Sequence, residues 1–442
     1  MKHLFDSKCP TRICATWSPE ETIKNRLDLP LPTAPLAPLI NMLFPIAIAT
    51  ALLALATTRI EAFSNTHLHT HMVHAGPRSR IHNLLTNGSS LPAGGAVWPT
   101  AIYWTTVQVG TPPVDFPVCI DSGSGDLDIS GKGCDNCPTQ SPNKAYDPSA
   151  SSTAKKQFFP FSNSYQTCDL TDPTAVCTIS GPTYTDAVSL AGYGPVTVKL
   201  GDIQKQTSNF DQFKEIGGVM GFTQGGSEDV FAQLVAGGKC DNIWAMCMHQ
   251  GTKSNGTITI GGADPRLSNG TIHYVKDVGR GFHSVQVLSL TLGGSGGSSS
   301  PTIQVNEAAI LDTGTNILLA PTKVMKALQS AMCADSSLTS CNELWSMKCV
   351  SLSDSTLLSY PDVTMNLDGV DLIMTSRDYL LKGSPLAASP DQYCLGIRDG
   401  GSAGGSGFII GDTTMRNYYL VFDLEGKKIG WGNVNKNTCG SL

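Results

Sequence analysis

The sequence predicts an all-β chain built as two similar lobes that face each other. Three observations carry this. A short phrase occurs twice: Val118-Cys119-Ile120-Asp121-Ser122-Gly123-Ser124 and, far downstream, Ala309-Ile310-Leu311-Asp312-Thr313-Gly314-Thr315. Each copy is an apolar strand that ends in Asp, a hydroxyl residue, Gly and a second hydroxyl residue. Charged residues make up 15% of the 442, against roughly 25% in ordinary soluble domains, with Gly, Ser and Thr filling the difference. That balance suits many short strands joined by turns rather than long solvated helices.

The elements follow in chain order. Residues 101–109 are β-branched and aromatic and stop at Gly110 and two prolines, which reads as a strand and turn. The first Asp phrase follows. Residues 196–201 and 284–290 alternate apolar and polar side chains, as half-buried strands do. Helical patterns are few, the best being residues 230–235 and 323–331. The switch between lobes is expected near Tyr274 to His283. Residues 293–300 are a Gly/Ser loop. Chain length is ample for two lobes with a sizeable core.

An Asp–Gly loop tip alone means little. Two copies, each in the middle of its own half, suggest loops that meet and bring Asp121 and Asp312 together. Two carboxylates at close range cannot both ionise easily, so they hold one proton between them at mildly acid pH. One is then a base and the other an acid, acting on a single water. Other chemistries find no support. The net charge is −6 with no basic stripe, which argues against nucleic acid. Gly293-Gly294-Ser295-Gly296-Gly297 and Gly400-Gly401-Ser402-Ala403-Gly404 match a serine-hydrolase string, but neither lies between a strand and a helix. Downstream of residue 95 only His249, His273 and His283 remain, none in a motif. Cofactors and metals are expected to be absent.

The ordered set of motifs resembles the eukaryotic, bilobal pepsin-family aspartic peptidases. The resemblance runs from Tyr103 to Thr111-Pro112-Pro113, through the first Asp phrase, Ala145-Tyr146-Asp147-Pro148-Ser149 with Ser151-Ser152-Thr153, residues 257–264, the second Asp phrase, Phe408-Ile409-Ile410-Gly411-Asp412 and residues 418–423. It covers residues 98–442. It implies a pepsin-like pair of β-lobes, residues 97–275 and 276–442, with a cleft between them. It implies that Asp121 and Asp312 are catalytic. Ser122 and Thr313 would cross-link the two loops, Ser124 and Thr315 would bond the outer oxygens of the aspartates, and Gly123 and Gly314 would allow close backbone approach. Val219-Met220-Gly221 and Ile409-Ile410-Gly411 would lie beneath. A Tyr on a hairpin should cover the cleft, and Tyr184 is the choice, with Tyr193 the rival. The chain departs from the family at three places: Thr185 follows Tyr184 where Gly is expected, Asp128 stands where a Trp supports the covering Tyr, and Gly217-Gly218 stands where Asp-Gly is usual.

Of 14 cysteines, Cys9 and Cys14 precede the apolar segment. The other twelve are an even number and are expected to pair in an oxidising compartment. The family's disulfides correspond to Cys134–Cys137 and Cys349–Cys394. Local pairing is expected of Cys168–Cys177 and Cys333–Cys341, and Cys119, Cys240, Cys247 and Cys439 stay unassigned. A zinc reading of Cys134-x-x-Cys137 lacks a second Cys/His pair.

Residues 42–56 are an apolar run of signal-peptide length. A start at Met42 makes 42–62 a secretory signal cut near Ala62. A start at Met1 leaves residues 1–41 upstream and makes the run a signal anchor, the less favoured reading. Residues 63–96 hold His67, His69, His71, His74, His82, Arg78 and Arg80 and no Asp, and Glu61 lies just before them. Alternating histidines admit a metal reading, but a basic propeptide masking an acidic cleft is preferred. Asn87, Asn255 and Asn269 open glycan acceptor triplets.

The expectation is a secreted or vacuolar, monomeric aspartic endopeptidase made as a proenzyme, acting on extended polypeptides in acid. The alternatives are a pepsin-like fold that binds a protein or glycan without cleaving it, and an anchored cell-surface protein.

Overall fold

The structure is a computed structural model. It describes residues 88–96, 102–137, 145–165, 176–207, 215–224, 228–249, 256–279, 281–293, 300–401, 405 and 407–441. Residues 1–87, and with them the apolar run, most of the predicted propeptide and Asn87, lie outside this set, as do Asn255 and Cys168.

The chain is mostly strand with a few short helices, the bilobal all-β architecture read from the sequence. In the first half the strands are β1 (Ser89–Ala96), β2 (Ile102–Val109), β3 (Val114–Asp121), β4 (Leu127–Asp135), β5 (Lys155–Lys156), β6 (Phe161–Tyr165), β7 (Cys177–Gly181), β8 (Thr183–Leu190), β9 (Tyr193–Gln206), β10 (Gly218–Gly221), β11 (Ile243–Met248), β12 (Gly256–Ile260) and β13 (Ser268–Lys276). Hydrogen bonding orders them with two strands from the chain's end, β24 (Tyr418–Asp423) and β25 (Lys428–Val434), as β13-β25-β24-β11-β12-β1-β2-β3-β10-β4-β9-β7-β6. β24 pairs with β11 across more than 150 residues of sequence, so the chain's end closes onto its first half. Trp244 on β11 and Phe422 on β24 stack at 4.0 Å between ring centres, both fully buried.

β1 pairs with β12 on one side and β2 on the other. Residues 89–96, assigned from the sequence to the propeptide, are therefore an integral strand of this sheet. Ser89–Ala93 pair with β12 and Gly94–Ala96 with β2, which composition could not reveal.

The second half holds β14 (Ser284–Leu292), β15 (Thr302–Leu311), β16 (Leu318–Ala320), β17 (Val350–Ser351), β18 (Val363–Leu367), β19 (Val370–Met374), β20 (Leu380–Lys382), β21 (Gln392–Leu395), β22 (Ile397–Asp399) and β23 (Ile409–Ile410), and a seven-stranded sheet ordered β19-β18-β14-β15-β23-β16-β22. The segment joining the halves is held by Asp277, which accepts the backbone N–H groups of Gly279 and Ser284 at 3.0 Å each and lies 2.9 Å from His283 Nδ1.

Both helical patterns form. α1 (Val230–Ala236) starts at Asp229, whose carboxylate accepts the Ala232 N–H at 2.6 Å. α2 (Thr322–Met332) buries Val324, Met325, Leu328 and Met332, one apolar stripe. No helix among the described residues is long and apolar enough to cross a membrane.

Disulfides join Cys134–Cys137, Cys333–Cys341, Cys349–Cys394 and Cys247–Cys439. Cys177 is also disulfide-bonded. The expectation that all twelve cysteines pair fails: Cys119 and Cys240 are free thiols. An even count carries no geometry, and Cys119 faces the core from the middle of β3.

Candidate active site

The repeated phrase becomes a repeated structure. β3 ends at Asp121 and runs parallel to β10, with Asp121 level with Gly221. β15 leads into Asp312 and runs parallel to β23, and the Asp312 N–H donates to Ile410 O at 3.1 Å. Each Asp loop thus rests on an apolar–apolar–Gly strand. A Cβ on Gly221 would meet Ser124 O at 2.3 Å, and one on Gly411 would meet Thr315 O at 2.2 Å. Only glycine leaves room at these two matching places.

The loops interlock. The Ser122 hydroxyl donates to Leu311 O at 2.8 Å and accepts the Thr313 N–H at 3.0 Å. The Thr313 hydroxyl donates to Ile120 O at 2.8 Å and accepts the Ser122 N–H at 3.0 Å. Both side chains are fully buried, so all four bonds are shielded from water. The short hydroxyl of Ser122 does the same work as that of Thr313.

The interlock fixes the carboxyls. Asp121 Oδ1 accepts the Gly123 N–H at 2.9 Å and Oδ2 the Ser124 hydroxyl at 2.5 Å. Asp312 Oδ1 accepts the Gly314 N–H at 2.8 Å and Oδ2 the Thr315 hydroxyl at 2.7 Å. The backbones approach crosswise: a Cβ on Gly123 would stand 2.7 Å from the Asp312 carboxyl, and one on Gly314 would stand 2.5 Å from Asp121 Oδ1. The two carboxyl groups are within hydrogen-bonding reach of each other. Burial, then the charge of Asp312, holds Asp121 well above the ordinary carboxylate range, against the pull of the Ser124 and Gly123 bonds. A pair in this state carries one proton well above the pH at which a free carboxyl loses it.

Two more buried groups feel the charge of the pair. Asp412 follows Gly411 and is fully buried, and among the described residues neither of its carboxyl oxygens finds a hydrogen-bond partner. Burial, then Asp312, pushes it far up, with Arg416 acting the other way. The Cys119 thiol is pushed up by burial and by Asp121, Asp412 and Asp312. The sequence quoted Asp412 as part of a motif without a role. Its place after the apolar–apolar–Gly strand was the available signal.

Tyr184 is the second residue of β8, between Lys156 of β5 and Leu200 of β9, its ring edge-on to Tyr146 at 6.1 Å, and Asp202 is the charged group that acts on it. Tyr193 opens β9 beside Cys240 and Asp241. Another tyrosine feels one member of the pair: Tyr165, at the end of β6, which pairs with β7, is pushed up by burial and then by Asp128, Asp121, Asp126 and Cys119. The sequence reading did not weigh it, and no local motif marks it. Asp128 is buried in β4. Asn269 is exposed on β13. Among the described residues no group of three or more His, Cys, Asp or Glu is arranged to hold a metal ion.

The sequence is similar to pepsin A of Suncus murinus, 25% identical over 338 residues covering 75% of this chain and 81% of the relative. It is also similar to aspartic proteinase 39 of Arabidopsis thaliana, 26% identical over 400 residues covering 81% and 80%. The family pattern of eukaryotic aspartyl proteases matches residues 102–434, a span that takes in both Asp loops and the strands beneath them. With the repeated loops and the two-lobed β-fold, that match shows that the chain belongs to the eukaryotic aspartyl protease family.

Proposed function

We propose that the protein is an aspartic endopeptidase that hydrolyses extended polypeptides in acid. The observation that carries this is the cross-linked pair of loops, which sets the carboxyls of Asp121 and Asp312 against each other. In that state one carboxylate takes a proton from a water lying between Asp121 and Asp312, and the water attacks the peptide carbonyl. The protonated partner donates to the developing oxyanion, and a proton then reaches the leaving nitrogen. No covalent intermediate is formed. Ser122, Gly123, Ser124, Thr313, Gly314 and Thr315 hold the pair. Tyr165 takes the cleft-covering role that the sequence reading gave to Tyr184. The substrate lies extended, bonded through its backbone. Export by residues 42–62 to a secreted or vacuolar destination and masking by a basic propeptide complete the reading. The strand β1 favours a maturation cut upstream of Ser89.

The test is cleavage of acid-denatured haemoglobin or casein, with and without pepstatin, by the native protein and by Asp312→Asn. Pepstatin-sensitive acid activity that vanishes in the variant is expected. Activity that persists in Asp312→Asn, or that ignores pepstatin, overturns the mechanism.

A further inference from the structure

Asp128 is a buried acid that the proposed chemistry leaves unused. A carboxyl taken out of water is costly unless it is held. In β4, 1% exposed, it stands level with Val219 of β10 and Gly201 of β9. It accepts a backbone N–H from Gly201 and the Asn163 side-chain N–H at 2.8 Å. Asn163 belongs to β6, and the same amide nitrogen donates to Asp126 Oδ2 at 3.0 Å. An amide nitrogen carries two hydrogens, so both bonds form at once.

β6 needs such a hold. It is the last strand of its sheet path, and among the described residues it pairs only with β7. Phe161, Asn163 and Tyr165 share one face of it by the two-residue period of a strand. Phe161 packs against Gly201: a Cβ there would lie 2.6 Å from the ring and 2.1 Å from Asp128 Oδ1. One glycine therefore leaves the notch that admits both the ring and the carboxyl. Two residues beyond Asn163 comes Tyr165, on which Asp128 acts more strongly than any other charged group.

We propose that Asp128, acting through Asn163, is the positioning residue that seats β6 and so fixes the place of Tyr165 at its end. This rests on the endopeptidase reading for its kinetic consequence, though not for its structural one. The surrounding charges suit acid conditions. Burial, with Asp126 as a like charge, lifts Asp128 to about 7, while the Asn163 and Gly201 bonds and Lys199, itself paired with Glu228 at 2.7 Å, pull the other way. Below that pH Asp128 is held mostly in its neutral form.

The experiment measures amide hydrogen exchange and kcat/KM on the full-length protein at about pH 5, on the protonated side of Asp128. Asp128→Ala and Asn163→Ala are expected to speed exchange in 161–165 and 177–181 about tenfold while leaving β14 and β15 unchanged. They are expected to lower kcat/KM by about 10–100-fold. Asp128→Asn keeps one acceptor oxygen for the Asn163 N–H but none for the Gly201 N–H, and is expected to restore part of both. Unchanged exchange in either alanine variant, loosening spread across the whole protein, or Asp128→Asn behaving like Asp128→Ala each overturns the proposal. Exchange reads the tether whether or not the protein cleaves peptides, so an inactive native protein with the expected exchange pattern defeats the endopeptidase reading alone.

Discussion

The cross-link between the Asp loops makes a quantitative prediction. Thr313→Val keeps the shape of the side chain and deletes one hydroxyl. That hydroxyl donates to Ile120 O and accepts from Ser122 N–H, and the site is fully buried. The substitution therefore strands one buried carbonyl and one buried N–H that water cannot reach. Each orphaned group costs about 1–3 kcal/mol, so Thr313→Val is expected to destabilise the fold by about 2–6 kcal/mol. Ser122→Ala strands a different pair, Leu311 O and Thr313 N–H, and should cost a similar amount. The effect on function should be larger than stability alone requires. Ser122 and Thr313 directly follow the two aspartates, and a carboxyl moved by about 1 Å loses about a hundredfold in rate. Denaturant unfolding near pH 5, where the pair holds its proton, gives the stability change, and kcat/KM on a peptide gives the other. A Thr313→Val variant within about 1 kcal/mol of the native protein would show that the hydroxyl bonds are not shielded, and the account of the interlock would fail.

Other predictions follow from the buried acids and thiols. Asp121, Asp128, Asp229 and Asp412 are all raised in the folded state, burial being the main cause. A folded acid with a raised pKa keeps a proton that the unfolded chain gives up, so its stabilising effect is present below about pH 4 and is lost as pH climbs towards the folded value. Asp128 and Asp229 are both lifted to about 7, so thermal stability should fall steadily from pH 4 to 7. A melting temperature that is flat or rises over that range contradicts the burial argument. Cys247→Ala with Cys439→Ala removes a buried disulfide spanning 192 residues, and unfolding should become easier by about 2–5 kcal/mol. A loss under about 1 kcal/mol would mean that the chain's end is held without it. Cys119, 5% exposed with its thiol pushed well up, should resist alkylation until the protein unfolds. Mass spectrometry showing rapid labelling of Cys119 in the native state would contradict its placement in the core.

Much of this protein could be read from its residues in order. The two Asp–hydroxyl–Gly phrases, the apolar–apolar–Gly strands under them and the hydroxyls beside the carboxyls are local patterns, each spelled out within a few positions, and their repetition pointed to two lobes. The helices at 230–236 and 322–332 were legible for the same reason, since a periodic apolar stripe is written in consecutive sequence. What escaped were facts that depend on distant segments meeting. Tyr165 comes under the charge of Asp128 and Asp121, and Asn163 of the same strand bonds Asp128 of β4, while Tyr184 is held between β5 and β9. Residues 89–96 became a strand because β12 and β2 offered two open edges. Cys247 found Cys439 and left Cys119 and Cys240 unpaired, a choice that counting could not make. Residue type and spacing determine which groups can do the chemistry. Only the packing of strands far apart in the chain decides which carboxyls lose water, which tyrosine feels their charge and which thiols meet, because burial and contact belong to the folded neighbourhood and not to the order of residues.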